Sequence, residues 1–202
     1  KGFYEEEGLD VTILPGGHAV SAAIYKQLPY NAVDSFSFIS MLTDFPFILV
    51  TYPDHPAKTV ADGIKAAQAD PGKLTCATAG NGTGMHLAFE LFAAMAKAKI
   101  QHIPYRGSPQ GITDLLAQRV DFQVDTPAVL MPFLSDGRLR PIAVTGPKGF
   151  FLLPDVPAIG ETVPGYTVTS WLGVAGPAGM PPAFVAKANA EIKAILAEPE
   201  VI

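Results

Sequence analysis

Residues 74–98 read LTCATAGNGTGMHLAFELFAAMAKA, and this segment decides the fold class of the 202-residue chain. Its first five residues form a short strand candidate, its middle contains three glycines, and residues 85–98 have the apolar spacing of a helix. A strand that passes through a tight glycine turn into a helix is the building unit of α/β proteins. The segment therefore predicts an α/β fold.

The same alternation continues towards the C-terminus. Strand candidates lie at residues 100–105, 120–124 and 141–145, and helices begin near Pro109 and Pro127. Strands and helices in strict succession predict a parallel sheet with helices on both faces. Ligands of such sheets bind beyond the carboxyl ends of the strands, which is where the glycine-rich turn lies.

The flanking segments predict a second lobe. Strand candidates at residues 47–52 and 167–174 bracket the alternating region and are well placed to cross between two units. We therefore expect lobe 2 at residues 53–164, and lobe 1, discontinuous and incomplete, at residues 1–52 and 165–202. A ligand cleft is expected between the two lobes.

Composition excludes several classes of protein. A hydrophobic content of 49% and a net charge of only -5 are incompatible with a disordered chain. The mild acidity argues against nucleic acid as a partner, because nucleic-acid binding usually demands a basic face. No apolar run is long enough to span a bilayer, and the chain opens at Lys1 without an initiator Met or a signal-peptide core, so we expect a mature or trimmed chain.

The glycine-rich turn is the best candidate site. Its glycines allow the backbone to approach a ligand closely, and the helix that follows offers free N–H groups and a partial positive charge, which suits an anion. Thr78, Asn81 and Thr83 add side-chain donors. An equally weighted interpretation is a capped helix entry with Thr83 or Asn81 as N-cap. The candidate residues are Thr78, Ala79, Gly80, Asn81, Gly82, Thr83 and Gly84.

Other sites are disfavoured by the sequence. The three glycines miss the dinucleotide spacing, since Met85 stands where the third glycine should be, and no phosphate-binding P-loop is present. The four histidines, at positions 18, 55, 86 and 102, are isolated, and a single cysteine, Cys76, supplies neither a disulfide nor a cysteine-rich zinc site. We therefore expect no metal and no cofactor. The absence of a G-x-S-x-G motif favours binding over catalysis.

Further candidate residues flank the turn or lie on the crossing strand. Arg106 follows the next strand and could hold a carboxylate bidentately, although a solvated surface arginine is the commoner case. Asp125 and Thr126 precede a helix, where Asp125 is expected to cap it or to orient a donor at the cleft. His86 is expected to face the helix entry or the core. Trp171 is expected in the core or, near the hinge, against a ligand.

Short phrases along the chain add a family resemblance. They read AIYKQLPY (23–30), PGKLT (71–75), AGNGT (79–83), PYRGS (104–108), TDLLA (113–117), VDFQVD (120–125), GRLRPIAVT (137–145), LPDVP (153–157), PGYTVTSWLG (164–173) and GPAGMP (176–181). In this order they resemble the Bug family, the periplasmic receptors of tripartite tricarboxylate transporters, from His18 to Ile202. The resemblance implies a type II periplasmic-binding-protein fold that closes on a di- or tricarboxylate or an aromatic acid.

The resemblance also implies partners and a second binding loop. A periplasmic, monomeric receptor that delivers its ligand to the membrane components of a transporter is expected. Two loops close on the ligand in this family: one matches residues 79–83, and the other is a proline-glycine-glycine turn, for which Pro15-Gly-Gly17 is a candidate, with Gly17 and His18 as ligand contacts. Equally, residues 9–17 could match the second strand of the family and its Pro-Gly turn, with material lost before His18. Family members are longer, and the missing length falls in lobe 1, which is therefore expected to be shortened.

Two other functions compete with this interpretation. Residues 1–11, KGFYEEEGLDV, are similar to the opening of sulfonate or thiamine-precursor binding proteins of ABC importers, which share the fold type. A sensor-coupled receptor belongs to the same alternative. An enzyme on an α/β scaffold is supported only by the glycine turn and by unplaced histidine and serine residues. A ligand screen separates these possibilities.

Overall fold

The computed structural model describes residues 12–15, 20, 26–147 and 149–198. Its contacts divide the chain into two compact units, one formed by Lys1–Asp44 with Ser170–Ile202 and the other by Phe45–Thr169. These limits fall at 44/45 and 169/170, whereas the lobe limits drawn from the sequence fall at 52/53 and 164/165. The expected lobes stay a prediction.

From residue 48 onwards the described strands and helices alternate, as is typical of the α/β class. The strands are β1 (Thr12–Pro15), β2 (Phe36–Pro46), β3 (Ile48–Thr51), β4 (Thr75–Thr78), β5 (Gln101–Pro104), β6 (Phe122–Asp125), β7 (Arg140–Val144) and β8 (Thr169–Pro177). The helices are α1 (Val60–Ala69), α2 (Gly84–Met95), α3 (Ser108–Leu116), α4 (Pro127–Ser135), α5 (Ile159–Thr162) and α6 (Pro182–Leu196). None of these described helices has the length and apolar character needed to cross a membrane.

The second unit contains a five-stranded sheet in the order β5-β4-β6-β3-β7. As expected, β4 is parallel to β5 and to β6. In contrast, β3 lies between β6 and β7 and is antiparallel to both, so the sheet is mixed rather than wholly parallel. The carboxyl ends of β4, β5, β6 and β7 consequently lie side by side at one end of the sheet, which we call the site edge. The start of β3 lies at this edge too, because Ile48 pairs with Asp125 and Val144.

Both faces of this sheet are buried, which explains why β3 is apolar without alternation. All four of its residues are buried. One face packs Leu49, Cys76 and Phe122 against Phe89 and Phe92 of α2. The other face packs its strand residues, Ile48, Val50, Ala77 and Val144, against Ile112 and Leu115 of α3 and Leu130 of α4. Helices therefore cover both faces, as the sequence predicts.

The first unit contains a three-stranded sheet in the order β1-β8-β2. β1 is antiparallel to β8, with Thr12 opposite Ala175. Helix α6 begins at Pro182, where proline is tolerated in the first turn, and Asn189 donates to the carbonyl of Ile39 on β2 at 2.7 Å. The sequence pattern of residues 19–27 also predicts a short helix, but of these residues the structure describes only 20, 26 and 27.

The Asp121 carboxylate connects three strands at the opposite end of the five-stranded sheet, where β4 and β6 begin. Asp121 Oδ2 accepts hydrogen bonds from the N–H and the hydroxyl of Thr75, each at 2.8 Å. Its Oδ1 lies 3.3 Å from Nε2 of His55, whose Nδ1 accepts the N–H of Ala57 and therefore leaves the ring proton on Nε2. The carbonyl of Asp121 accepts the Thr51 hydroxyl at 2.6 Å. Asp121 thereby connects residues of β3, β4 and the start of β6.

The only thiol of the chain lies in the middle of the second unit. Cys76 is on β4, is fully buried among apolar side chains, and has no disulfide partner. Burial raises the pKa of this thiol far above its ordinary value, because the thiolate would lose its hydration. In the folded protein the sulfur is therefore a small apolar core atom.

We predict that Asp121→Ala lowers the free energy of unfolding by about 2–3 kcal/mol, because bonds to a charged acceptor are lost and the Thr75 N–H is left unpaired. Urea unfolding followed by circular dichroism measures the change. Asp136→Ala is the matched control, since the Asp136 side chain forms an exposed pair with Arg138 at 3.1 Å, and its loss should change the free energy of unfolding by less than about 0.5 kcal/mol. Equal effects of the two variants would contradict the role given to Asp121.

Candidate functional site

The candidate site lies at the sheet edge where the parallel strands end. Thr78, at the end of β4, pairs with Pro104 at the end of β5, and the neighbouring β6 ends at Asp125. The turn at residues 79–83 and the loop after β5 therefore leave the sheet side by side. This is the edge at which ligands of α/β sheets bind.

Backbone geometry explains the three glycines of the turn. Gly80 has φ +133°, and a Cβ there would lie 3.2 Å from the carbonyl oxygen of Tyr105. Gly82 has φ +74°, in the left-handed region that favours glycine. At Gly84 a Cβ would lie only 2.8 Å from the ring of Phe47. The glycines let the turn fold tightly against the neighbouring loop and the core.

The start of α2 is capped by Thr83. The Thr83 hydroxyl accepts the N–H of His86 at 3.3 Å and donates to the carbonyl of Gly80 at 2.8 Å. Of the two N-cap candidates, Thr83 is therefore the cap, and Asn81 is exposed in the turn. The N–H groups of Gly84 and Met85 belong to the first turn and have no helical carbonyl behind them. Capping by Thr83 thus leaves the first donors of α2 available for an anion.

His86 lies beneath the turn and engages it directly. Nδ1 of His86 accepts the N–H of Gly82 at 3.1 Å, so this donor has a partner in the structure. In the neutral ring the proton is then on Nε2, which lies 3.7 Å from Oε1 of Glu90 one turn further along α2. The expectation that His86 faces the helix entry agrees with this geometry.

His102 joins this group, although the sequence did not single it out as a site residue. Its ring stacks on that of His86, with centroids 4.2 Å apart and an interplanar angle of 23°. Its Nε2 lies 2.6 Å from the hydroxyl of Thr78. Burial, and secondarily the neighbouring His86, lower the pKa of His102 to about 4. His102 is therefore neutral at physiological pH.

The loop after β5 is held by its tyrosine rather than by its arginine. The Tyr105 hydroxyl donates to Asp114 Oδ2 at 2.8 Å, and Arg119 binds the other oxygen of the same carboxylate at 2.9 Å. Burial, and then the bond to Asp114, raise the pKa of Tyr105 to about 12. Arg106 is exposed beside this arrangement. Its role as a carboxylate clamp stays a prediction.

Asp125 directs its carboxylate into the protein. It is fully buried, Oδ1 accepts the N–H of Thr126, and Oδ2 accepts the side-chain amide of Gln123, both at 2.8 Å. Thr126 is the N-cap residue of α4, without a side-chain capping bond. The expectation that Asp125 caps the helix is therefore wrong: Thr126 holds the cap position, and Asp125 accepts the N–H of Thr126 from one residue earlier. The amide oxygen of Gln123 has no hydrogen-bond partner among the described residues and faces Gly111, where a Cβ would lie 2.8 Å away.

The remaining candidates lie elsewhere in the chain. Trp171 is on β8 of the first unit, where its ring lies 3.1 Å from the position that a Cβ would take at Gly173. Gly17 and His18 lie outside the described residues. The structure thus brings together the turn, Thr83 and His86, and adds His102 from the adjacent strand. A parallel neighbour of β4 was predicted, but its register with β4, which places His102 there, could not be read from the sequence.

We predict that the stability of the protein falls between pH 6.5 and pH 4 in part because of His102. An unfolded histidine binds a proton near pH ~6.5, whereas folded His102, packed against Thr78 and His86, does so only near 4. Between these values the unfolded chain binds more protons, so acidification favours unfolding.

The check compares wild type with His102→Asn, which cannot titrate, by urea unfolding at pH 7 and pH 5 in buffer containing EDTA. From pH 7 to pH 5 the free energy of unfolding should fall more for the wild type than for the variant. The difference in stability between the two proteins therefore becomes smaller at pH 5. The subtraction removes carboxylates, which titrate equally in both proteins. An identical pH dependence in both would show that His102 has an ordinary pKa.

Comparison with known proteins reveals similarity along almost the whole chain. Residues 7–202 match the family described as "Tripartite tricarboxylate transporter family receptor". A protein of Pseudomonas sp. (strain P51), "UPF0065 protein in tcbD-tcbE intergenic region", is 36% identical over 198 residues, which are 97% of this chain and 59% of that protein. The chain thus spans rather more than half the length of this relative.

Solved structures share the fold. An R. palustris protein solved with adipate superposes with a TM-score of 0.86 at 32% identity, covering 94% of this chain and 64% of that one. MatC from Rhodopseudomonas palustris, solved with bound malate, gives 0.81 at 25% identity, with 95% and 66% covered. These similarities confirm the family resemblance and the periplasmic-binding-protein fold expected from the sequence.

Proposed function

The chain belongs to the tripartite tricarboxylate transporter receptor family, and we propose that it captures a small carboxylate for a membrane transporter. The ligand class is a di- or tricarboxylate or an aromatic acid. The receptor acts in the periplasm as a monomer, delivers its ligand to the membrane components of a secondary transporter, and needs no cofactor and no nucleic acid. It carries out no reaction.

The observation that carries this proposal is the turn at residues 79–83 over the start of α2. The first N–H groups of the helix point out of its N-terminus, and the helix dipole adds a partial positive charge there. Backbone donors of this kind hold a carboxylate without a cationic side chain. The glycines keep the approach to these donors free of side chains. The adipate and malate found with two relatives are carboxylates of this class.

The same geometry argues against catalysis. Thr78 and His102 form a hydroxyl–imidazole pair at 2.6 Å, which is the spacing of a nucleophile and its general base. The Thr78 side chain, however, belongs to a residue that is only 1% exposed, so a substrate has no access to its oxygen. The pair therefore serves packing and hydrogen bonding, which supports a binding protein over an enzyme.

We predict that Gly82→Val lowers carboxylate affinity at least about tenfold, because a β-branched side chain at φ +74° distorts the turn and displaces its donors. Gly137→Val is the matched control. Gly137 has a similar φ of +68° and free space around it, but it follows the far end of α4, away from the site edge. Isothermal titration with the carboxylate that binds the wild type measures the change.

The control variant should have comparable backbone strain and keep wild-type affinity. A loss of affinity in Gly82→Val alone then cannot be caused by the loss of stability that both variants share. Arg106→Ala should weaken binding less than Gly82→Val if backbone donors dominate. Wild-type binding by Gly82→Val together with no binding by Arg106→Ala would replace the helix-start site with a cationic clamp.

The ligand class is tested by a thermal-shift screen. Adipate, malate, citrate, an aromatic acid and an aliphatic sulfonate are added separately to the purified protein, because a ligand that binds only the native state raises its melting temperature. A rise with one or more carboxylates supports the proposal. A rise with the sulfonate alone supports the ABC-type or sensor-coupled alternative. No rise with any carboxylate contradicts the proposed ligand class.

A further inference from the structure

Three side chains beside the turn form a group that the function above does not use. One potential ligand atom from each of His86, Glu90 and His102 lies within 4.8 Å of the other two. Spacing along the chain does not reveal this group, because His102 is 16 positions after His86 and belongs to no closely spaced metal motif. From this grouping we propose that His86, Glu90 and His102 bind a divalent transition-metal ion of the zinc class.

Regular secondary structure holds all three side chains. His86 and Glu90 are one helical turn apart and therefore lie on the same face of α2, with Nε2 of His86 3.7 Å from Oε1 of Glu90. His102 is on β5, the edge strand beside β4, and its ring stacks against that of His86. A ligand set held on a helix and a strand needs only small side-chain rotations to converge on an ion.

The donor atoms select the kind of metal. Two imidazoles and one carboxylate form the ligand set that zinc takes in sites with an open position, and imidazole also suits copper and nickel. Calcium and magnesium prefer oxygen ligands and are poorly served by two nitrogens. His86 and His102 are partly exposed and Glu90 is exposed, so an ion can enter from solvent.

Hydrogen bonds to the rings set the strength of the site. Thr78 holds Nε2 of His102 at 2.6 Å and so fixes the orientation of that ring, as partners of metal-bound histidines commonly do. His86 accepts the Gly82 N–H through Nδ1, so its ring proton is on Nε2. Coordination through Nε2 moves this proton to Nδ1 and breaks the bond to Gly82. The cost makes the site weaker than a preformed structural zinc site.

The test is titration of zinc chloride into protein that carries no polyhistidine tag and has been treated with EDTA and then freed of it. Wild type should bind one ion per chain by calorimetry. Glu90→Gln should lower the affinity at least about tenfold, and His102→Phe should do the same while keeping an aromatic ring against His86. Glu191→Gln, at an exposed glutamate of α6, makes the same change of charge and should bind zinc like wild type.

Cobalt(II) supplies a second measurement, because its visible absorption depends on its ligands. Wild type and Glu191→Gln should give the same bands, and Glu90→Gln should shift or weaken them. Glu90 is an exposed residue, so its variant tests the site without disturbing the core. No stoichiometric zinc binding by the wild type, or equal binding by wild type, Glu90→Gln and His102→Phe, would overturn the proposal and leave the histidine pair as packing.

Discussion

The parallel pairing of β4 with β5 and β6 is the constraint on which the site depends. Parallel neighbours end at the same edge of a sheet, so their turns and the helices that follow also begin there. Residues 79–83, the loop after β5 and the entry to α4 are brought together in this way, although they are far apart in the chain. The partly buried carboxylate of Asp121 helps to hold this arrangement from the opposite end of the strands, where Asp121 connects three of them.

The two interpretations of the glycine turn, helix cap and anion site, are compatible. An N-cap side chain satisfies the donor at the third helical position and leaves the first two uncommitted, which is what Thr83 does for His86. The Gly82 N–H differs from them, because it already has an imidazole acceptor. A ligand that reached this donor would have to displace His86 from it. The turn therefore contains donors of two kinds, free ones in the helix and one that is occupied.

Local sequence predicted the elements and the place of the turn, because glycine spacing, strand pattern and helix entry are all coded within a few residues of one another. It did not predict that β3 would lie antiparallel in the middle of the sheet, since its apolar residues fit any buried strand. It also missed His102, whose contact with His86 follows from the register of β5 against β4. The buried hydrogen bond between Gln123 and Asp125 was not predicted either, because alternation along a strand does not reveal which polar residues will be enclosed.

Because Cys76 is buried, chemical modification of its thiol can be used to measure how often the second unit opens. A thiol with no exposed surface and a raised pKa reacts with an alkylating reagent only after the sheet around it has separated. Since the chain has a single cysteine, every labelled molecule records one such event at one known place. The rate of alkylation in native buffer thus measures how often the core around β4 opens. A bound ligand that suppresses this opening would slow the alkylation, and no further cysteine has to be introduced to detect it.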